Sequence, residues 1–474
     1  MMTEISQTEI LPRPVRSGMV LTGLSLAILL SQLGTNIINV ALPQLVTEFG
    51  TSFGAIQWVV VSYLLVVTAL IVGVGRFGDQ LGKKRLYLWG LVIFMVASAI
   101  CALSVNLPVL IAGRALQGVG GAVLMALSFA FVGEVFPKNR TGFAMGVLST
   151  MVSFGIALGP SLGAFLLGLF GWQSMFWVNI PLSIVAYLLV QFYLPASVDA
   201  PKQTSSLQNF DWTGTVLLAA TLAAYSLAMT FSGARGFGDE LVLGLEVAAA
   251  IGFIWFIWVQ LSTPAPLLKL SMFRNALLST SMIMSVLVYA VMMATLILGP
   301  FFLKLALELD MHTVGMVMTV GPLIAAFMGV PAGTIADKIG ARFTMVIGLA
   351  LFAIGALIMS WVSVTGGIPV YLVAIAFISV GLAFFQTPNN TAVMMDAEPQ
   401  QRGLVSGLLA LARNLGLITG ASLMGAIYAH SAGDAASATP QTVAAGMQSA
   451  FTGAAFMAVI ALLLSLTSLR RRNG

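Results

Sequence analysis

Two copies of one short phrase hold carboxylates that could bind other parts of the protein. Asp79 lies in Gly75-Arg-Phe-Gly-Asp79-Gln-Leu-Gly82-Lys83-Lys84, and Asp337 lies in Gly333-Thr-Ile-Ala-Asp337-Lys-Ile-Gly340-Ala-Arg342. Gly75 and Gly82 permit a tight turn, where Asp79 can lie at a helix N-terminus or pair with a cation. A basic loop that only sets membrane topology is the alternative. The copies lie 337 − 79 = 258 residues apart, which indicates two related halves.

Two arginines interrupt long apolar runs. On insertion scales an arginine near the bilayer centre costs about 2.5 to 3.5 kcal/mol, so Arg114 must face protein or water. Its acceptor is either Gln117, three residues on, or the polar stripe of the first apolar run. A coupling role and a structural arginine bonded to backbone carbonyls both remain open. Arg413 is similar, although it could extend towards the cytoplasm.

Residue types typical of enzyme chemistry do not cluster in this chain. The sequence has no phosphate-binding glycine loop of the nucleotide-hydrolase type, no metal-ligand cluster and no nucleophile paired with one of its 2 histidines. We therefore expect no enzyme activity, no catalytic residues, no metal and no cofactor. An ATP-driven pump would need a partner subunit.

The composition indicates whether this chain lies in water or in a membrane. Hydrophobic residues make up 59% and charged residues 8%, with mean hydropathy +1.01, so it is an integral membrane protein. Apolar runs of roughly 20 residues predict fourteen spans. They lie near 19–41, 56–75, 86–104, 108–132, 141–168, 175–194, 212–231, 241–260, 277–301, 313–335, 343–363, 369–391, 404–428 and 448–469.

Lys and Arg predict the orientation of the chain. With a cytoplasmic N-terminus, only Arg235 and Lys304 fall in outer loops, while Arg114 and Arg413 lie within spans. The net charge of +5 is thereby explained by topology, so no nucleic-acid partner is expected. We expect a multi-pass protein of the cell membrane with both termini cytoplasmic, in the inner membrane if the source is bacterial.

A second repeat supports the division into halves. Gly146, Gly155 and Gly159 match glycines of the thirteenth run at an offset of 407 − 146 = 261. Six spans need only about 190 to 200 residues, so the offset leaves room for two more. We predict two six-helix halves related by pseudo-symmetry plus two inserted helices. The predicted parts are a tail 1–18, an N-terminal half 19–196, a linker 197–211, an inserted pair 212–260, a C-terminal half 261–469 and a basic tail 470–474.

These phrases resemble the major facilitator superfamily, and within it the fourteen-span drug:proton antiporters of the EmrB/QacA type. The resemblance covers essentially the whole chain. Besides the Asp79 loop, it rests on Arg114-Ala-Leu-Gln117-Gly118-Val-Gly120-Gly121, Gly155-Ile-Ala-Leu-Gly159-Pro160-Ser-Leu-Gly163, Gly171-Trp172-Gln-Ser-Met-Phe176-Trp-Val-Asn179-Ile-Pro181 and Asp211-Trp212-Thr-Gly214.

The resemblance implies roles for two of these phrases. The Asp79 loop is expected to latch the halves on the cytoplasmic side, together with Lys83, Lys84, Asp337, Gly340 and Arg342. The stripe Gly155, Gly159 and Gly163 resembles the antiporter motif on a helix at the interface between halves. Its four-residue spacing permits close helix contact, and Pro160 is expected to bend the helix.

The first span departs from the family pattern. The family has an acid there that contributes to proton coupling, whereas this chain has Gly34. What remains is a neutral polar face that either lines the substrate cavity or bonds to other helices: Gln32, Thr35, Asn36 and Asn39. Tyr289 and the Met-rich stretch 282–293 could line the cavity or pack as ordinary core. Glu246 lies inside an inserted span and is a poor replacement for the missing acid.

The resemblance implies a secondary transporter that exports a small molecule by alternating access, as a multidrug-type antiporter. If Arg114 and Arg413 both reach the cavity, it is neutral to positive and favours amphipathic, neutral or anionic substrates. Its expected partners are the substrate, the bilayer and, for antiport, protons. The sequence leaves open whether a periplasmic adaptor also binds. The alternatives are a facilitator or importer without proton coupling, and a transport-dead sensor or assembly factor.

Overall fold

Long helices account for the spans that the apolar runs predict. The computed structural model describes residues 17–51, 53–56, 58–195, 211–432 and 439–470, and fourteen helices in these ranges are long and apolar enough to cross a bilayer. Their main helices are α1 (Ser17–Asn36), α2 (Trp58–Leu81), α3 (Lys83–Ala102), α4 (Leu107–Val135), α5 (Thr141–Phe170), α6 (Asn179–Tyr193), α7 (Trp212–Arg235), α8 (Glu240–Ser262), α9 (Ala276–Phe301), α10 (Met311–Ile339), α11 (Ala341–Ser360), α12 (Gly367–Asp396), α13 (Arg402–Ala432) and α14 (Pro440–Arg470). The sixth span consists of α6 and the short helix Ser174–Trp177 before it.

The helices pack as two similar halves. In one half α1 packs on α5 and α6, and α4 packs on α2 and α3. The other half repeats this pattern, with α9 on α13 and α14, and α12 on α10 and α11. The predicted fold class is therefore confirmed. The predicted boundaries of the parts stay a prediction, and the tails and linker lie largely outside the described residues.

The helices end where polar side chains or glycine satisfy the backbone. Asn106, Asp239 and Asn275 each accept a hydrogen bond from the first turn of the following helix, as N-caps do. Between α2 and α3, Gly82 has φ 101°, and between α10 and α11, Gly340 has φ 95°. Both values lie in the left-handed region that glycine tolerates.

The turn predicted at Gly75 is wrong. The helix α2 continues to Leu81, so Gly75 lies inside it and only Gly82 breaks the chain direction. Gly75 serves a different purpose, because a Cβ atom there would overlap the carbonyl oxygen of Gly403 on α13. The residue allows two helices to touch rather than the chain to turn.

The two halves meet along two seams, α2 with α13 and α5 with α10. Both are glycine contacts. In the α2–α13 seam Gly75 lies against Gly403, and in the α5–α10 seam Gly142 lies against Gly333 and Gly146 against Gly329. We call the end of the bundle that carries Asp79 and Asp337 the Asp end; at this end the seams are closed by backbone-to-backbone contact.

The inserted pair lies beside one seam only. The helix α7 packs on both α2 and α13, and α8 packs on α7. Trp212 and Phe231, near the two ends of α7, make edge contacts with Phe77 and Trp58 of α2. Towards α13, the hydroxyls of Tyr225 and Thr419 share a hydrogen bond of 2.5 Å. The helix α7 therefore covers the α2–α13 seam.

Asp211 fixes the start of the inserted pair. Its carboxylate accepts hydrogen bonds from Gly214 N at 2.6 Å, Gln260 Nε2 at 2.8 Å and Leu267 N at 3.0 Å. Gln260 Oε1 in turn accepts from Leu268 N at 2.8 Å. One buried carboxylate thus joins the beginning of α7 to the end of α8 and to the segment before α9, which explains the Asp211-Trp-Thr-Gly214 phrase.

Candidate functional site

Asp79 joins the two halves at the Asp end. Its Oδ1 accepts from Gly403 N at 3.0 Å and its Oδ2 from Leu404 N at 2.8 Å, both in the first turn of α13. Its Oδ1 also lies 2.9 Å from Lys83 Nζ. The two roles that the sequence left open for this carboxylate, at a helix N-terminus and beside a cation, occur together. The helix dipole and the ammonium group both stabilise its negative charge.

Asp337 makes the equivalent contact across the other seam. Its Oδ1 and Oδ2 accept from Gly142 N and Phe143 N, each at 2.9 Å, in the first turn of α5. The two contacts differ in charge, because the residue that corresponds to Lys83 is 83 + 258 = 341, an alanine. The α5–α10 contact is therefore held through backbone donors without that ion pair.

Lys83 and Lys84 are directed into the protein. Lys83 pairs with Asp79 and Glu134 and donates to Pro399 O at 3.1 Å. Lys84 donates to the carbonyls of Gln191 at 3.0 Å and Leu194 at 2.6 Å, at the C-terminus of α6. Both side chains are buried because the protein supplies their acceptors.

Arg114 is fully buried within the N-terminal half. Its Nε donates to Val59 O at 2.8 Å, and its Nη1 donates to Gln117 Oε1 at 2.5 Å. Gln117 passes the network on to Ser98 Oγ at 2.8 Å, while the guanidinium lies 4.4 Å above the ring of Tyr63. Of the acceptors predicted for Arg114, Gln117 is the one used. The Nη2 atom has no hydrogen-bond partner.

Gly34 lies beside this cluster. A Cβ atom at Gly34 would be 3.3 Å from Phe94 Cζ and 3.5 Å from the hydroxyl of Tyr63. Tyr63 donates its hydroxyl to Ser31 O at 2.9 Å. Hydroxyl, amide and carbonyl groups thus surround the guanidinium in this region, at the side where the resembling family has an acid.

Three residues of the polar face of the first span pack against or bond to helices, and the fourth is exposed. Gln32 packs under Gly155, and Asn36 packs under Gly159. Thr35 and Asn36 donate to the carbonyls of Ser31 and Gln32 on their own helix, and Asn39 is exposed. None of the four lines either of the two cavities described below.

The stripe Gly155, Gly159 and Gly163 packs within one half. Its contacts are with Gln32, Asn36 and the carbonyl of Ile37 from the first span. The helix α5 does reach the α5–α10 seam, but through Gly142 and Gly146 instead. The backbone of α5 is helical through position 160, and the side chain of Pro160 lies outside the described residues.

A mostly apolar cavity of about 40 Å³ lies between the halves, away from the Asp end. It is lined from α9, α10 and α12 of the C-terminal half and by two residues of α5. Its lining is Ser153, Ile156, Met292, Thr295, Leu296, Val317, Met318, Gly321, Pro322, Ala325, Tyr371, Ile375, Ile378, Ser379 and Leu382.

A second cavity, of about 20 Å³, lies nearer the Asp end, and seven of its eleven lining residues have polar side chains, so we call it the polar cavity. Arg413 and Tyr289 line it together, and both are buried. The other lining residues, which include no carboxylate, are Phe129, Ser285, Phe385, Gln386, Asn389, Asn390, Ser406, Leu409 and Ala410. Each cavity has room for only one or two water molecules, so a substrate can occupy them only after the halves move apart.

The sequence did not place Gln386, Asn389 and Asn390 in this cavity. Within the cavity, Asn389 Nδ2 donates to Ser285 Oγ on α9 at 3.3 Å. A polar stripe on an otherwise apolar span is the signal that could have indicated a cavity wall.

Each half caps a helix of the other half through an aspartate, and small cavities lie between the halves. This architecture defines a transporter that works by movement of one half against the other. The Major Facilitator Superfamily profile matches residues 24–306 and 281–474, so the chain belongs to that family. Its fourteen spans fit the fourteen-span drug:proton antiporter group.

Relatives and solved structures agree with the family. The chain is 32% identical to riboflavin transporter RibZ of Clostridioides difficile (strain 630), covering 87% of this chain and 88% of the relative. It is 28% identical to multidrug resistance protein 3 of Bacillus subtilis (strain 168), covering 86% and 79%. Among solved structures, the human organic anion transporter MFSD10 has TM-score 0.66 at 19% identity, covering 95% and 99%. These similarities indicate a transporter rather than an enzyme.

Proposed function

We propose that this protein exports a small amphipathic molecule across the cell membrane by alternating access, as an antiporter. The observation that carries the proposed transport is the polar cavity around Arg413, which adjoins an apolar cavity between the halves. Antiport is supported by the fourteen-span drug:proton antiporter group that the chain fits, since no carboxylate lines either cavity. The Asp79 and Asp337 contacts would hold the Asp end closed in one state and release it in the other. Their bonds join rigid helices at their ends, so the halves can separate without unfolding.

The expected substrate is neutral or anionic. The guanidinium of Arg413 attracts acceptors, and the lining residues offer no carboxylate to a cation. The name of the relative RibZ makes riboflavin the first candidate, since it is neutral and amphipathic. The name of the Bacillus subtilis relative supports export. We further propose that both termini and the Asp end face the cytoplasm.

A facilitator or importer without proton coupling is the second candidate. Gly34 replaces the acid that the resembling family has in the first span, and it lies against Phe94 and Tyr63. Glu246 lies on α8, which packs on α7 outside both cavities. If neither supplies a proton site, substrate would move down its own gradient.

Proteoliposomes loaded with riboflavin test these proposals. For an antiporter, an imposed pH gradient should accelerate riboflavin movement several-fold, and a protonophore should abolish the acceleration. Glu246→Gln is the control variant and should retain the gradient dependence. Riboflavin movement that does not depend on the pH gradient would support the facilitator. Riboflavin movement no faster than in protein-free liposomes would contradict a flavin substrate.

A further inference from the structure

The polar cavity contains buried groups whose hydrogen-bonding capacity is unused. Asn389 and Ser406 are 1% and 2% exposed, and Asn389 Oδ1 and Ser406 Oγ have no hydrogen-bond partner. Arg413 contributes a guanidinium with five N–H donors to the same cavity. Buried polar atoms without partners are costly, so a cavity that retains several of them is suited to a polar ligand.

The orientation of the Asn389 amide follows from its neighbour. Ser285 Oγ donates its hydrogen to Ser281 O at 2.8 Å, so this hydroxyl can only accept from Asn389. The amide group that faces it at 3.3 Å must therefore be the NH₂ group. The carbonyl oxygen Oδ1 is then the part of Asn389 that remains unpaired, and it can only accept a hydrogen bond.

The geometry points to a binding site for a neutral end group that carries a carbonyl oxygen next to an N–H, formed by Arg413, Asn389 and Ser406. This inference rests on the proposed function and specifies which end of the substrate the polar cavity recognises. Arg413 would donate to the carbonyl oxygen, Asn389 Oδ1 would accept from the N–H, and Ser406 Oγ can do either. The imide edge of a flavin has this arrangement.

Charged end groups match the site less well. A carboxylate would satisfy Arg413 but would bring its oxygens towards Asn389 Oδ1, which is also an acceptor. An ammonium group would satisfy Asn389 and be repelled by Arg413. The combination of one strong donor and one fixed acceptor therefore selects a neutral group with both functions.

The remainder of the substrate has a defined direction. Along α9, Ser285 and Tyr289 of the polar cavity are followed on the same face by Met292 and Leu296 of the apolar one. Along α12, Asn389 and Gln386 are likewise continuous with Leu382 and Ile378. Once the halves part, the two cavities can join, with the apolar body of the ligand pointing away from the Asp end.

Binding of two flavins to the purified full-length protein tests the site. The probes are riboflavin and its N3-methyl derivative, which lacks only the imide N–H, and binding is measured by quenching of flavin fluorescence. Wild type should bind riboflavin about 10-fold more tightly than the methyl derivative, which corresponds to one hydrogen bond. In Asn389→Leu this ratio should fall to about 1, whereas Arg413→Gln should weaken both ligands by similar factors.

The controls separate this site from the proposed function. Asn179→Leu removes another buried asparagine, on α6 and outside the cavity, and should preserve the wild-type ratio. If wild type transports riboflavin but binds both flavins equally, the end-group site is refuted and export stands. If wild type neither binds nor moves riboflavin, the flavin substrate and this site are both refuted. The ratio of the wild-type affinities for the two flavins tests the site even if a variant does not fold.

Discussion

Asp79 and Asp337 close equivalent contacts, but they do so with unequal numbers of partners. Asp79 has two backbone donors and Lys83, whose ammonium also pairs with Glu134. Asp337 has two backbone donors, Gly142 N and Phe143 N. Since hydrogen bonds to charged groups contribute about 1.5 to 3 kcal/mol each, the α2–α13 contact is expected to be the stronger one.

Asp79→Asn should therefore open the Asp end more than Asp337→Asn. Each variant loses one of its two backbone bonds, because the amide NH₂ group cannot accept, and weakens the other. Only Asp79→Asn also loses an ion pair. Labelling of a cysteine at Leu409, in the polar cavity, by a thiol reagent applied at the Asp end measures the opening, in a Cys101→Ser background. We expect labelling to accelerate at least several-fold in Asp79→Asn. Equal rates in both variants would contradict the inequality of the two contacts.

Gly75→Ala should destabilise the closed Asp end. The added Cβ would overlap the carbonyl oxygen of Gly403, and neither backbone can move without separating the helices. Overpacking of this kind typically costs about 1 to 3 kcal/mol. Gly244→Ala on α8 is the matched control, because no atom lies within 4 Å of its added Cβ. Thermal unfolding should show a lower Tm for Gly75→Ala alone; similar values for both variants would argue against this contact.

Individual residues also show what the sequence could predict. The equivalent roles of Asp79 and Asp337 follow from their repeated phrases. The hydrogen bond from Arg114 to Gln117 follows from the spacing of the two residues. The cavity position of Asn389 does not follow, because α12 is apolar on nearly every face and its pattern does not define its rotation. The contact between Gly155 and Gln32 does not follow either. The four-residue spacing of the glycines predicts that another helix packs closely, but it does not identify that helix.

At the scale of helices, the inserted pair is anchored by one buried carboxylate. Asp211 joins α7, α8 and the segment before α9, although its phrase indicates only a helix start. The fourteen spans themselves were predictable, since apolar length alone decides them. The position of α7 across the α2–α13 seam was not, because it depends on side-chain contacts such as Tyr225 with Thr419.

Asp211→Asn should lower stability more than Asp239→Asn. Both residues are N-caps, but beyond the first turn of its own helix Asp239 makes a partly exposed ion pair with Arg235, at 3.8 Å. Asparagine still caps a helix, so Asp239→Asn should keep nearly all of its stability. In Asp211→Asn one oxygen becomes an NH₂ group that cannot accept, so at least one of the bonds from Gly214, Gln260 and Leu267 is lost. We expect the lower Tm for Asp211→Asn. Equal losses would show that the contacts with α8 and Leu267 are weak.

At the scale of the molecule, transport requires the two halves to move against each other. Phe154 of α5 and Phe327 of α10 face each other across a seam, with ring centroids 6.2 Å apart. Phe49 and Trp172 lie at a similar 5.7 Å, but both belong to the N-terminal half. The two pairs differ in whether they join the halves.

A short bifunctional thiol cross-linker between Phe154→Cys and Phe327→Cys should reduce the transport rate by at least about 10-fold, because it joins the two halves. The same reagent on Phe49→Cys and Trp172→Cys should leave most activity, because that pair moves as one body. Both pairs belong in the Cys101→Ser background, assayed in proteoliposomes. Continued transport by the first pair, with cross-linking verified by mass, would refute alternating movement at this seam.

The helix α7 makes the two sides of the molecule unequal towards lipid. It lies along α2 from Trp58 to Phe77 and reaches α13, while α8 presents Val247, Ile251 and Ile254 outward. Among the described helices, α7 leaves the junction of the halves open to hydrocarbon chains at α5 and α10. We therefore expect a cargo dissolved in the bilayer to enter laterally on the face opposite the inserted pair.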